Sequence, residues 1–230
     1  MRLTAAGASV RGPAHRQEGE SNQDALGIYG LRGGWCAAVA DGLGSRPHSR
    51  QGSRKAVNLL RQLMRRDCPP LTTEVMAALR EAWLNHFGEG YRDYETTCLW
   101  ACIDVAGYGL VGQVGDGLLL VRCGGVFNVL SIPRRGYSNQ TSTLAQLKPR
   151  ECCCADVALT QSGDGVLMMT DGIADDLIPE QLEPFFNAIY RRMRCSSRRR
   201  MRRWLTKELN GWSTPHHGDD KSLAGIFRTD

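Results

Sequence analysis

No run of this 230-residue chain approaches the length of a membrane span. Its first ten residues, Met1 to Val10, hold one arginine and no long apolar stretch, so a secretory leader is not expected either. Paired cysteine spacing is missing as well. The cysteine count is nine, an odd number, and three are consecutive at Cys152, Cys153 and Cys154. With no leader and no repeated spacing, reduced cytoplasmic thiols are expected rather than a disulfide framework. The triplet has neither a second CxxC nor a histidine at finger spacing beside it, which argues against a soft-metal centre. Internal repeats and low-complexity linkers are absent too, so 1–230 reads as one domain. What is present, 42% hydrophobic residues and mixed charge, suits a chain that buries a substantial core.

Acidic residues are missing from one densely basic segment. Arg191 to Arg203 holds eight arginines and no acid, and removing these from the formal charge of +5 leaves −3. The chain is thus a mildly acidic body with one basic segment. That segment could dock a partner or an acidic surface, bind nucleic acid, or be a solvated helix face above Met193, Met201, Trp204 and Leu205. Aromatic interleaving is confined to Tyr190 and Trp204, so partner docking or plain surface is favoured over nucleic acid.

Period-2 and period-3.6 patterns divide the chain into strands, helices, strands, helices and a closing strand. Strands are expected at 2–10, 25–30 and 34–40. A helix follows over 47–66, with Ala56, Leu59, Leu60 and Leu63 on one face. Pro69-Pro70 ends it, and Leu71-Thr72-Thr73-Glu74 opens a second helix to about His86. Strands at 96–105, 108–114, 118–123 and 126–131, joined through glycines, read as antiparallel hairpins. Residues 132–154 are polar and irregular and read as a surface loop or flap. Strands at 156–161 and 164–170, helices at 179–193 and 197–210, and a strand at 221–227 complete the order. The expected fold is α+β: two antiparallel sheets stacked as a sandwich, with helix pairs outside, in four α-β-β-α layers.

Apolar runs stop on aspartate four times, in WCAAVADG (35–42), LVGQVGDG (110–117), VLMMTDG (166–172) and at Gly218-Asp219-Asp220 before Leu223. Singly, each Asp-Gly pair reads as a turn. Together they would place several carboxylates at one sheet rim, where desolvation and mutual repulsion are costly unless a cation neutralises them. Hard divalent ions take carboxylates and waters, so Mg²⁺ or Mn²⁺ is the expected occupant. Asp171 and Asp175, four apart, share a face if a helical turn follows the strand. Thr96 and Thr97 read as sheet support that could touch the site by hydroxyl. His216-His217 reads as surface.

The order Asn22-Gln23-Asp24, Ala40-Asp41-Gly42-Leu43-Gly44, Thr96-Thr97, Val114-Gly115-Asp116, Thr170-Asp171-Gly172-Ile173-Ala174-Asp175 and Asp219-Asp220-Lys221-Ser222 resembles the metal-dependent protein phosphatase (PPM, type 2C) family. The match runs over about 3–228, and the short length is similar to the bacterial single-domain branch. The resemblance implies hydrolysis of phosphoserine and phosphothreonine proteins by a metal-activated water, in the company of a partner kinase or its targets. It implies two or three Mn²⁺ or Mg²⁺ ions. Asp41 would bridge two of them beside the Gly42 carbonyl, and Asp171 and Asp219 would be further ligands, with Asp220 at the next position. Asp116, Asp171 and Asp175 would form a third-metal site, and Asp24 would orient water. His15 and Arg16 are the nearest candidates for phosphate contact. Gln23 stands where the family often has Glu, and Leu43 where many members have a histidine acting as general acid. These departures keep a second reading open, a catalytically weak module binding a phosphoprotein or signalling partner. No cysteine lies in the glycine-rich, arginine-ended loop that a thiolate phosphatase needs, in agreement with the metal-based reading.

Overall fold

The computed structural model describes residues 2–65, 72–131, 141–147, 152–212 and 218–230. In order the elements are β1 (Leu3–Val10), α1 (Pro13–Gln17), β2 (Ala25–Leu31), β3 (Gly34–Ala40), α2 (Ser49–Met64), α3 (Thr72–Phe87), β4 (Cys98–Ile103), β5 (Tyr108–Val114), β6 (Leu118–Cys123) and β7 (Val126–Val129). They continue with β8 (Cys152–Ala158), β9 (Gly165–Met169), α4 (Asp171–Ala174), α5 (Leu182–Arg194), α6 (Arg198–Asn210) and β10 (Lys221–Arg228).

Strand alternation sorts the buried residues into three cores. Along β3, Cys36, Ala38 and Ala40 face the layer of α2 and α3, while Ala37 and Val39 face the other sheet. In β9 the inward residues are Val166 and Met168, and Leu167 and Met169 meet α5 and α6. A side-chain period of 2 with both faces apolar is what a strand buried on both sides requires. The two sheets are antiparallel, ordered β1-β10-β9-β6-β7 and β2-β3-β4-β5-β8. The expected four layers are therefore present. Edge strands β1 and β2 lie against each other on one flank of the sandwich.

The apolar face of α2 is the expected one, with Ala56, Leu59, Leu60 and Leu63 all buried. Trp83 of α3 is fully buried, and its indole N–H donates to the Gly52 carbonyl at 3.1 Å, so the ring adds apolar area without leaving a donor unsatisfied. The thiols of Cys36, Cys98 and Cys102 lie in this layer and are free. Burial, then the neighbouring Cys36, pushes the Cys98 thiol up to about 12, so it packs as a small apolar group.

Three local expectations change. The strand expected at 156–161 starts earlier: β8 runs Cys152–Ala158, pairing Cys153 with Gln113 and Cys154 with Gly112. Consecutive strand residues point to opposite faces, so Cys153 and Cys154 do not converge on one ion. The strand at 126–131 ends at Val129. The short helices α1 and α4 were not expected, since five and four residues are too few for a helical period to register. Of the proposed flap, 132–140 and 148–151 lie outside the described residues, as does His216-His217. No described helix is long and apolar enough to cross a membrane.

Candidate metal centre

Each aspartate reaches the site because a strand ends there. Asp41 follows β3, and the carbonyl of Asp41 accepts from the Thr97 amide at 2.8 Å and from the Thr96 hydroxyl at 2.7 Å. The Asp41 amide in turn donates to Thr97 Oγ1 at 2.9 Å. The Thr96-Thr97 pair thus clamps the Asp41 backbone and does more than support a sheet. Asp116 follows β5 through Gly115, whose φ of 108° and close approach to Thr97 need a residue without Cβ. Asp171 opens α4, with Gly172 behind it lying so close to the Asp220 carbonyl that an added Cβ would sit 2.1 Å away. Asp219 leads into β10 from the other side.

Carboxylate oxygens of Asp41, Asp116 and Asp171 lie within 4.8 Å of one another. Their pocket is also lined by Asp219, His15, Gly42, Leu43 and Thr141, and no arginine among the described residues lines it. Thr141 donates its hydroxyl to Asp116 Oδ2. Burial, reinforced by Asp24, Asp171 and Asp219, holds the Asp41 carboxyl well above the usual carboxylate range. Burial and then the charges of Asp116, Asp219 and Asp175 raise Asp171 to about 6. Burial pushes Asp24, which the Thr170 hydroxyl partly stabilises, up to about 7. Oxygens Oδ1 of Asp24 and Asp171 are buried with no hydrogen-bond partner. Orphaned, crowded oxygens of this kind are the donor set that a hard divalent cation completes. The residues fit Mn²⁺ or Mg²⁺.

Other candidate residues are placed differently. Asp24 lies beneath the pocket, accepting from Thr170 Oγ1 at 2.9 Å. Asp175 caps α4, its amide 3.0 Å from the Asp171 carbonyl, and it acts on Asp171 through charge. Asp220 is fully buried and faces away: Oδ1 accepts from the Gly12 amide at 2.7 Å and Oδ2 from the Gln23 amide at 2.6 Å. His15 Nδ1 stands 2.9 Å from Asp220 Oδ2, off the line of a hydrogen bond. Burial opposes charge on that imidazole, but Asp220 prevails and raises its pKa. Of the adjacent acids, then, Asp219 faces the cations' pocket and Asp220 anchors two loops and His15. Arg16 is outside the pocket, its guanidinium donating to Asn210 Oδ1. Thr141 and Thr170 were missed. Nothing local in the sequence marks Thr141, whereas Thr170 precedes the VLMMTDG aspartate directly.

Thr97→Val keeps the shape of the side chain and removes the acceptor for the Asp41 amide. Loosening the support of a ligand typically costs 10–100-fold in metal affinity. A Mn²⁺ titration of the variant should show a loss of about that size, with near-native circular dichroism.

Two stacked antiparallel sheets thus carry a wall of aspartates at one rim. The chain belongs to the protein phosphatase 2C family, whose model matches residues 11–210. No curated protein matches it in sequence. Among solved structures it is similar to a bacterial serine phosphatase at 16% identity and TM-score 0.70, covering 100% of this chain and 99% of that one. It is similar to the catalytic domain of serine/threonine phosphatase PstP in complex with two manganese ions, at 18% identity and TM-score 0.68 with 99% of both chains covered. The S. agalactiae serine/threonine phosphatase aligns at 16% identity and TM-score 0.70, over 98% of this chain and 99% of that one.

Proposed function

We propose that residues 1–230 act as one cytoplasmic catalytic unit that hydrolyses phosphoserine and phosphothreonine proteins at a centre of two or three divalent ions. The observation that carries this reading is the convergence of Asp41, Asp116, Asp171 and Asp219 on one pocket, with an orphaned oxygen on Asp171. When bound, Mn²⁺ or Mg²⁺ supplies an activated water nucleophile and neutralises charge on the phosphoryl oxygens. Asp41, Asp171 and Asp219 would hold the ions with the Gly42 carbonyl, Asp116 would extend the set on the Asp171 side, and Asp175 would add charge behind it. Asp24, fixed by Thr170 beneath the pocket, would help orient water held there. His15, whose pKa Asp220 raises and which lines the pocket, is the group placed to contact a phosphoryl oxygen, while Arg16 is tied to Asn210. Leu43 lines the pocket where a general acid could stand, so the proton for the leaving alkoxide comes from another group.

The test is hydrolysis of p-nitrophenyl phosphate and of a phosphothreonine peptide with Mn²⁺, with Mg²⁺ and with EDTA. Turnover of both substrates that needs the metal is expected. No turnover with either metal by folded protein would favour the binding-module reading.

A further inference from the structure

We infer that a cationic groove running from the metal pocket docks the acidic flank of a phosphoprotein substrate; this rests on the phosphatase reading above and names its substrate class. The metal pocket adjoins a second cavity of about 680 Å³ through shared residues Gln23 and Gly44. That cavity presents Arg46, Arg50 and Arg54. Arg54 also lines a third cavity of about 880 Å³, together with Arg198, Arg199 and Arg202 of α6 and the flank where β1 and β2 meet. The groove thus links the reacting centre to the arginine segment of the sequence.

Its positive charge is largely uncompensated. Arg46 is paired with Glu95 at 2.7 Å, and Arg198 is held by the Ile28 carbonyl at 3.0 Å with its guanidinium over Trp35. Arg54, Arg199 and Arg202 are exposed and have no ion pair among the described residues. Arg50 Nε is buried without a hydrogen-bond partner. The carboxylates along the walls are Glu20 and Asp24. Arg50 and Arg54 lie one helical turn apart, about 6 Å along α2, close to the roughly 6.6 Å between alternate side chains of an extended peptide. An acidic segment with its phosphorylated residue at the metal pocket would meet them in succession. A nucleic acid would need open stacking faces, but of the rings lining the groove Tyr29 is covered by Arg61 at 4.6 Å and His48 packs against Tyr94 at 5.1 Å.

The test uses the triple charge reversal Arg54→Glu, Arg199→Glu, Arg202→Glu, whose side chains do not line the metal pocket. Binding is read by fluorescence anisotropy in EDTA with two labelled phosphothreonine peptides, one flanked by glutamates and one by serines; oligo-dT is the third probe. Rim charges steer and discriminate, so at least about tenfold weaker binding is expected for the glutamate peptide, little change for the serine peptide, and a matching rise in KM without loss of kcat. Unchanged turnover of p-nitrophenyl phosphate reports an intact fold and tests the phosphatase reading by itself. If that turnover is absent from wild type while the peptides are still discriminated, the groove stands and the phosphatase reading falls. Equal effects on both peptides, no effect on either, or oligo-dT binding tighter than the glutamate peptide and lost in the variant would overturn the groove assignment. The triple alanine variant should give the same pattern with a smaller change.

Discussion

Asp171→Asn should lower kcat for Mn²⁺-dependent hydrolysis of a phosphothreonine peptide by about a thousandfold or more while leaving the fold intact. The residue opens α4 at the pocket wall, within ligand distance of Asp41 and Asp116, and its Oδ1 has no partner in the protein. An amide keeps the volume and one acceptor but removes the charge that would hold a divalent ion. Charge stabilisation by a catalytic metal amounts to several kcal/mol, and about 4 kcal/mol corresponds to roughly a thousandfold in rate. Asp41→Asn should be at least as damaging, because the charges of Asp24, Asp171 and Asp219 all act on this buried carboxyl. Wild-type turnover in either variant, with the protein shown to be folded, would remove these residues from the centre.

The second large effect is on stability, and its sign follows from the same crowding. The carboxyls of Asp24, Asp41 and Asp171 all have folded pKa values above the ordinary one. Between the unfolded value near 4 and folded values of about 6 for Asp171 and about 7 for Asp24, the folded state binds more protons than the unfolded state. Stability of the metal-free protein must therefore fall as pH rises through that window, and below it the penalty vanishes. For Asp171 alone, a rise from 3.8 to about 6 amounts to on the order of 3 kcal/mol. Thermal unfolding in EDTA should show Tm dropping from pH 5 to pH 7.5, and excess Mn²⁺ should restore it at the upper end. Asp171→Asn should flatten the slope and raise the metal-free Tm at pH 7.5 by several degrees, at about 2–4 °C per kcal/mol regained. A Tm that climbs with pH in EDTA, or that ignores Mn²⁺, would contradict the electrostatic reading of the pocket.

Much of this architecture was legible because its signals are local. Each of β3, β4 and β9 is a short apolar run whose residues are sorted by period 2 into two cores, and α2 carries its apolar face at Ala56, Leu59, Leu60 and Leu63. Asp41, Asp116 and Asp171 stood out because each terminates such a run, and Asp219 because it stands just before one. What was not legible depends on contacts between distant segments. Whether Asp219 or Asp220 faces the pocket is decided by the amides of Gly12 and Gln23, about two hundred positions away, which claim Asp220. Arg16 looked suited to phosphate until α6 brought Asn210 to it. Thr96 and Thr97 read as ordinary strand residues because a side chain that clamps a neighbouring strand's aspartate has no period or spacing of its own. The groove was invisible for the same reason: Arg54 and Arg202 meet only through packing of α2 and α6 around the β1 and β2 edges.

The measurement to make first is a titration of EDTA-treated, desalted protein with Mn²⁺, following bound ions and p-nitrophenyl phosphate turnover in the same samples. At least two ions per chain should bind, with turnover rising as the second site fills and staying absent before it. Turnover that persists without metal, or saturable binding of two ions that brings no turnover, would contradict a catalytic centre built from Asp41, Asp171 and Asp219.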